Sequence, residues 1–179
     1  MTPADNGLMA DERPLYERDP AAWRAHLAEG NARQPRKRVG VDVLLRNERG
    51  EVLLVDPRYK PDWDLPGGMA EANEPPHVTA ARELHEELGL ELRVGSMLVV
   101  DWVAPHGPWD DSLMFVFDGG VLPATEQLRP TDGELAEARF VALDDARALL
   151  RPYIWQRLRH AVAALADGRP RYLVGGNVA

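Results

Sequence analysis

The run from Gly68 to Leu90, GMAEANEPPHVTAARELHEELGL, constrains this chain more than any other stretch. Pro75 and Pro76 suit a first helical turn, Val78, Ala81, Leu84 and Leu88 recur at helical spacing, and Gly89 offers a C-terminal stop. At about 100° per residue, the helix predicted here puts Glu83, Glu86 and Glu87 on one face, nearly opposite the apolar stripe. Three neighbouring carboxylates raise one another's pKa and strain a helix unless cations neutralise them. Local cations are scarce: the only lysines of the chain are Lys37 and Lys60, and Arg82 precedes Glu86 in the less favourable i,i+4 order. A divalent metal is the natural missing partner. Carboxylate oxygens are hard ligands, which points to Mg2+ first, Mn2+ second, and away from Zn2+. Taken alone, an E-x-x-E-E pattern also fits a solvated acidic face.

The whole run resembles the Nudix box, G-x5-E-x7-R-E-U-x-E-E-x-G-U with U aliphatic. Gly68, Glu74, Arg82, Glu83, Leu84, Glu86, Glu87, Gly89 and Leu90 fill every fixed position, and the preceding Trp63-Asp64-Leu65-Pro66-Gly67 is similar to the strand and turn that lead into the box. Asn73 departs from the glycine many members carry there; Asn tolerates a left-handed backbone better than other non-glycine residues. The resemblance implies an α/β fold with a mixed sheet, a Nudix-type α/β/α sandwich in which the box forms a loop, a helix and a loop at one end.

Composition frames what such a chain can do. With 45% hydrophobic and 28% charged residues it suits one compact domain with a real core. No apolar stretch is long enough to span a membrane and the first thirty or so residues lack a signal-peptide pattern, so a cytoplasmic location and no membrane partner are expected. The absence of cysteine excludes disulfides, thiolate zinc sites and a cysteine nucleophile. A net charge of −8 argues against a general nucleic-acid binder, and an acidic chain with an anionic ligand needs local cations.

Residues 1–18 read as a flexible tail and 19–37 as a short helix and linker, with Asp19 and Pro20 opening the helix, Gly30 closing it, and 31–37 polar. The Nudix-like domain is expected over 38–167. Within it, Val39–Leu45 and Val52–Val55 flank a turn at Asn47–Gly50; Leu92–Val103, Ser112–Phe117 and Ala138–Val141 follow as strands, with turn signals at Gly95, Pro105–Gly107 and Gly119–Gly120. Asp144–Leu150 and Tyr153–Ala166 read as helices, the latter with Ile154, Leu158, Ala161, Val162 and Leu165 as its stripe. Residues 168–179 are expected to be a C-terminal tail.

A cation held by several carboxylates, with open water positions, suits a substrate with linked phosphates and water as nucleophile. The resemblance sharpens this to Mg2+-dependent hydrolysis of a pyrophosphate bond in a nucleoside diphosphate linked to another moiety X. By the same resemblance Glu86 and Glu87 are metal ligands, Glu83 is a ligand or the general base, and the Gly67 carbonyl completes the shell. Arg82 orients the glutamates, Glu74 braces the loop against the helix, and Gly68 and Gly89 serve turn and termination. Some members take the base from a later loop, where Glu134 is the candidate, Glu126 and Glu137 the weaker ones.

For the substrate, Trp109 could stack a base and His106 contact a ribose or donate a proton, with Trp102 more suited to the sheet. Lys60 suits a distal phosphate, with Arg58 and Tyr59 beside it. The interval from Gly89 to Pro105 resembles one that marks ADP-ribose-cleaving members, which favours ADP-ribose or a nucleotide sugar over a MutT-like triphosphate substrate. Dinucleoside polyphosphates and capped RNA stay open. A ligand-sensing regulator on the same fold usually has a degraded box, and an isomerase of the isopentenyl diphosphate type needs a cysteine this chain lacks. Family members are often homodimers, for which the N-terminal helix and Arg169–Ala179 are candidate contacts.

Overall fold

A computed structural model describes residues 13–123, 128, 130, 131 and 133–179. By internal contacts the chain divides into Met1–Arg36 and Lys37–Ala179. In the first unit, α1 spans Leu15–Arg18 inside the stretch expected to be a tail. It is followed by α2, Pro20–Arg33. The Asp19 carboxylate caps α2 by accepting from the backbone N–H groups of Ala21 (3.1 Å) and Ala22 (2.9 Å), which satisfies two of the donors a helix start leaves free. Gly30 does not end this helix, so the linker shortens to residues 34–37; an i,i+4 ion pair of Glu29 with Arg33 spans the glycine.

The second unit is a mixed sheet between helices. Its strands are β1 (Arg38–Asn47), β2 (Val52–Pro57), β3 (Gly67–Met69), β4 (Met97–Val103), β5 (Ser112–Leu122), β6 (Leu135–Val141), β7 (Arg171–Val174) and β8 (Asn177–Val178). Their order is β6-β2-β1-β5-β4-β7-β8, with β3 beside the start of β1. The β1–β5 and β4–β7 pairs are parallel and the rest antiparallel. The helices are α3 (Pro76–Leu88), α4 (Leu143–Leu149) and α5 (Pro152–Asp167).

Alternation along β1 divides the core. Val41, Val43 and Leu45 face α3, where they pack with Ala80, Leu84 and Leu88; Leu44 faces the other side, with Ala146 of α4 and Ile154, Leu158 and Ala161 of α5. Asp42 has the parity of Leu44 and therefore points toward α5. The result is an α/β/α sandwich.

Three expectations about strands change. Residues 92–94 are not sheet, and β4 begins only after Gly95, whose N–H donates to the Asp118 carbonyl. Gly119 and Gly120 do not turn the chain: β5 runs through them, and the register against β1 slips between Leu44 and Leu45, a bulge that absorbs the glycines. Residues 171–178, expected as tail, form β7 on the edge of β4 and a short hairpin with β8; Leu173 is fully buried, which explains why the segment is ordered.

Helix α3 also turns differently from the pattern read in the sequence. Its buried residues are Thr79, Ala80, Leu84 and Leu88, whereas Val78 is 44% exposed. The buried stripe is rotated toward the glutamates, so Glu83 and Glu87 flank it instead of opposing it, each next in sequence to a buried leucine. Gly89, at φ 67°, closes the helix in the left-handed conformation and its N–H donates to the carbonyl of His85.

Candidate active site

The glycines of β3 make that rotation feasible. A Cβ on Gly68 would fall on the Glu83 carboxylate, and one on Gly67, whose φ is +143°, would strike the Val41 carbonyl oxygen. Two residues without side chains therefore let α3 bring carboxylates against the strand. Glu87 Oε2 accepts from the Gly67 N–H at 3.0 Å.

Arg82 is the hub of the acidic face. Its Nε donates to Glu74 Oε1 and its Nη2 to Glu74 Oε2, both at 3.0 Å, a bidentate pair. Nη1 reaches Glu83 Oε1 at 3.0 Å and Glu86 Oε2 at 2.8 Å, and Nη2 also donates to the Met69 carbonyl at 3.1 Å. The i,i+4 order that looked unfavourable in the sequence matters little once the guanidinium fork is shared among three carboxylates. Glu74 accepts as well from Thr79 Oγ1 (2.8 Å) and the Glu71 N–H (3.0 Å), tying the loop, in which Asn73 adopts φ 64°, to the helix.

These contacts set the acidities. The hydrogen bonds from Arg82 hold the Glu74 carboxyl at about 2. Glu83 moves the other way, raised chiefly by desolvation although Arg82 opposes it. A largely covered carboxylate whose desolvation one shared guanidinium does not offset is a good ligand for a cation. The donor chemistry of Glu83, Glu86 and Glu87 thus fits a hard divalent ion such as Mg2+. Among the described residues no three acidic or histidine side chains converge as a formed cage: Glu86 is turned onto Arg82, and Glu87 onto Gly67.

On the α5 side of the sheet a cavity of about 390 Å³ opens beside β3, with Met69 in its wall. Three residues singled out in the sequence, Lys60, His106 and Trp109, line it. Trp109 is 54% exposed, with the Arg38 guanidinium 4.5 Å from its ring centroid, and the His106 N–H and carbonyl pair with those of Trp109. Trp102 lies on β4 and donates from Nε1 to Asp111 at 2.8 Å. Tyr59 joins the cavity wall; Arg58 does not, because its Nε is directed at the Leu135 carbonyl, 3.2 Å away.

Glu134 is located by its backbone, whose carbonyl accepts from the Arg58 N–H at 2.8 Å. The preceding Thr131 docks on the last turn of α3: its N–H donates to the Glu87 carbonyl at 3.0 Å and its hydroxyl to that of Glu86. The Glu137 carboxylate instead meets Arg139 at 3.5 Å on β6, and Glu126 lies outside the described residues.

The cavity floor escaped the sequence reading. Arg157, 1% exposed, donates from Nη1 to Asp42 at 2.7 Å and from Nε to Asp101 at 3.0 Å; Asp101 also accepts from the Gly176 N–H at 3.0 Å. Burial pushes the Asp42 carboxyl up to about 6 although Arg157 pulls it down. A signal existed: Asp42 interrupts the aliphatic run of β1, and Arg157 stands beside Leu158 on the apolar stripe of α5. Asp64, Arg151 and Tyr153 of the wall were also missed.

Residues 36–165 match the NUDIX domain family. The chain belongs to the Nudix family. It is 34% identical over 120 residues to CMP-5'-(N-acetyl-N-hydroxy-3-aminopropyl)phosphonate hydrolase of Streptomyces rubellomurinus, covering 61% of this chain and 53% of that one. Against the ADP-ribose pyrophosphatase of Bacillus subtilis it is 30% identical over 115 residues, 62% of this chain and 61% of the relative. These matches therefore span little more than half of each relative. Among solved structures, a UDP-X diphosphatase superposes with TM-score 0.65 at 20% identity, covering 85% of this chain and 74% of that one. The NUDIX domain of Shewanella oneidensis NrtR, crystallised with ADP ribose, gives TM-score 0.63 at 19% identity, over 77% and 97%. At these identities the likeness concerns the fold.

Proposed function

We propose that the chain is a divalent-metal-dependent hydrolase that cleaves the pyrophosphate bond of a nucleoside diphosphate linked to X. The observation that carries this reading is the position of β3: its glycines hold Glu83 and Glu87 on one side while Met69 walls a nucleotide-sized cavity on the other. Glu83, Glu86 and Glu87, with the Gly67 carbonyl, are the groups that would hold Mg2+ or, second, Mn2+. When bound, the ion would neutralise charge developing on the phosphates. Arg82 keeps the glutamates in place. Glu83 or Glu134 takes a proton from water as its oxygen bonds to phosphorus; the anhydride P–O bond breaks, giving a nucleoside monophosphate and phosphorylated X. Trp109 offers a ring face for the base and His106 a contact for the ribose, while Lys60 meets phosphate.

ADP-ribose or a nucleotide sugar is the favoured substrate class, in keeping with the ADP-ribose pyrophosphatase among the relatives. A MutT-like action on nucleoside triphosphates uses the same residues. The reading from another class is a non-catalytic nucleotide sensor, to which the hold of Arg82 on three glutamates lends some support, since it stabilises the acidic face without an ion. A product assay with Mg2+ across ADP-ribose, nucleotide sugars, dinucleoside polyphosphates and nucleoside triphosphates separates them. One preferred compound, its turnover abolished by chelation and by Glu87→Gln, supports the hydrolase; tight nucleotide binding without products supports the sensor.

A further inference from the structure

The charges lining the cavity are unevenly matched. Arg157 is neutralised from below by Asp42 and Asp101. Lys60 and Arg151, by contrast, share one carboxylate: Asp64 Oδ2 accepts from Lys60 Nζ at 2.6 Å and from Arg151 Nη2 at 3.1 Å. Lys60 stands on the loop after β2 and Arg151 at the N-cap position of α5, so the two cations approach the cavity from different segments of the chain. Trp109 and His106 follow β4, on the other side of β1 in the sheet order. The cavity therefore has an aromatic end, to which Arg38 over the Trp109 ring adds a cation, and a cationic end, to which Tyr59 and Tyr153 add rings.

The cationic end also holds an unmet donor. Arg151 Nε is shielded from solvent with no hydrogen-bond partner among the described residues, so a ligand meets it only if the side chain, which as a whole is 33% exposed, shifts. A guanidinium presents five donors in a fixed fork, and an idle buried N–H is costly unless a ligand meets it.

We infer that Lys60 and Arg151, splayed from Asp64, form a subsite for a terminal phosphoryl group of the substrate, distinct from the pyrophosphate at the glutamates. The inference rests on the hydrolase reading for the identity of its ligand. A tetrahedral phosphoryl group offers several acceptor oxygens at once to one fork and one ammonium that share a single carboxylate, whereas a lone sugar hydroxyl offers one oxygen. The same chemistry arises from the γ-phosphate of a nucleoside triphosphate or from an X that is itself phosphorylated. It extends the substrate class beyond ADP-ribose and plain nucleotide sugars, whose far ends are uncharged, to nucleotides whose far end carries its own phosphoryl group. Arg151 then becomes a determinant of specificity, selecting substrates by the charge at their far end.

The test is binding to the intact metal-free protein, in chelator, with inorganic phosphate as the first probe and calorimetry or amide chemical shifts as the readout. Ribose 5-phosphate against ribose, and ATP against ADP, separate a sugar-borne phosphoryl group from a γ-phosphate. Phosphate should bind in the millimolar range, and Lys60→Gln and Arg151→Gln should each weaken it about tenfold, the worth of a charge-assisted hydrogen bond. Thermal melts establish that each variant is folded; Lys60, on a loop away from α5, keeps the test open if the Arg151 change unfolds the chain. Phosphate that does not bind, or that binds both variants as it does the parent, overturns the subsite. So does binding that survives both changes and disappears in Arg38→Gln, which would put the anion at the aromatic end. Because no metal is added, failure here is separate from failure of turnover in the Mg2+ assay.

Discussion

Arg82 and Arg157 each sit among carboxylates, but the two clusters differ in how they are built. The Arg82 cluster is local in sequence, from Glu74 to Glu86, and partly covered: Glu86 is half exposed, whereas Glu74 and Glu83 keep little contact with solvent. The Arg157 cluster joins β1, β4 and α5, and its three charged groups are almost wholly buried. In the first, water still reaches Glu86 and the edge of Arg82, and the guanidinium is shared among three carboxylates, so a carboxylate can exchange onto another cation at smaller cost than in the second. In the second, three groups removed from water depend on one another, and taking away one leaves the others unpaired. The acidic face is held by contacts that another cation can replace, and the buried triad forms the cavity floor.

The most severe way to break this comparison is to remove the buried hub. Arg157→Ala leaves Asp42 and Asp101 facing each other without a counter-ion and should cost about 3–5 kcal/mol in urea denaturation. Destabilisation of less than about 1 kcal/mol would mean that water reaches the triad, and the distinction between the clusters would fail. Glu87→Gln should do the reverse. Its amide oxygen can still accept from the Gly67 N–H, so the melting temperature should stay close to that of the parent, while turnover falls by about a hundredfold or more for want of a charged ligand. Parental Mg2+-dependent rates in Glu87→Gln would remove the metal role from this face. Arg82→Lys is milder: one ammonium cannot pair bidentately with Glu74 and still reach Glu83 and Glu86, so kcat should drop about tenfold with little change in KM.

The same contrast accounts for what could be read beforehand. The Arg82 cluster was legible because one helix and its loop fix it, and helical spacing carries positions as close as Glu83 and Glu86 into register without knowledge of the fold. The rotation of α3 was not legible, since Val78 and Ala81 offer as good a stripe as Thr79 and Ala80 until Gly67 and Gly68 create the room that draws Glu83 and Glu87 inward. Asp42 and Arg157 stand far apart in the chain, and only the packing of α5 on the sheet face that carries Asp42 and Asp101 makes them neighbours. Lys60 could be picked for its charge, but its partner Arg151 depended on where α4 hands over to α5. Likewise Leu173 gave no hint that the last residues add a strand, because a parallel edge against β4 is a tertiary event.

The smallest effect lies in the acid limb of stability, and there the clusters should respond with opposite sign. Glu74 is lowered from 4.5 to about 2, first by its hydrogen bonds from Arg82, so its contribution is complete above pH 4.5 and is lost as pH falls toward 2. Asp42 is raised from 3.8 to about 6, first by burial, so its contribution is fullest below 3.8 and declines as pH rises through 6. Urea midpoints measured from pH 7 down to 2.5 resolve the two. Glu74→Gln should flatten the loss of stability below pH 4.5 and leave the range above it unchanged. Asp42→Asn should alter the range between about 4 and 6 instead, where the parent gains on acidification, and Arg157 retains Asp101 as a partner in that variant. If Glu74→Gln keeps the parental slope below pH 4.5, the Arg82–Glu74 pairing contributes nothing to stability in solution, and the contrast with the buried triad rests on Arg157 alone.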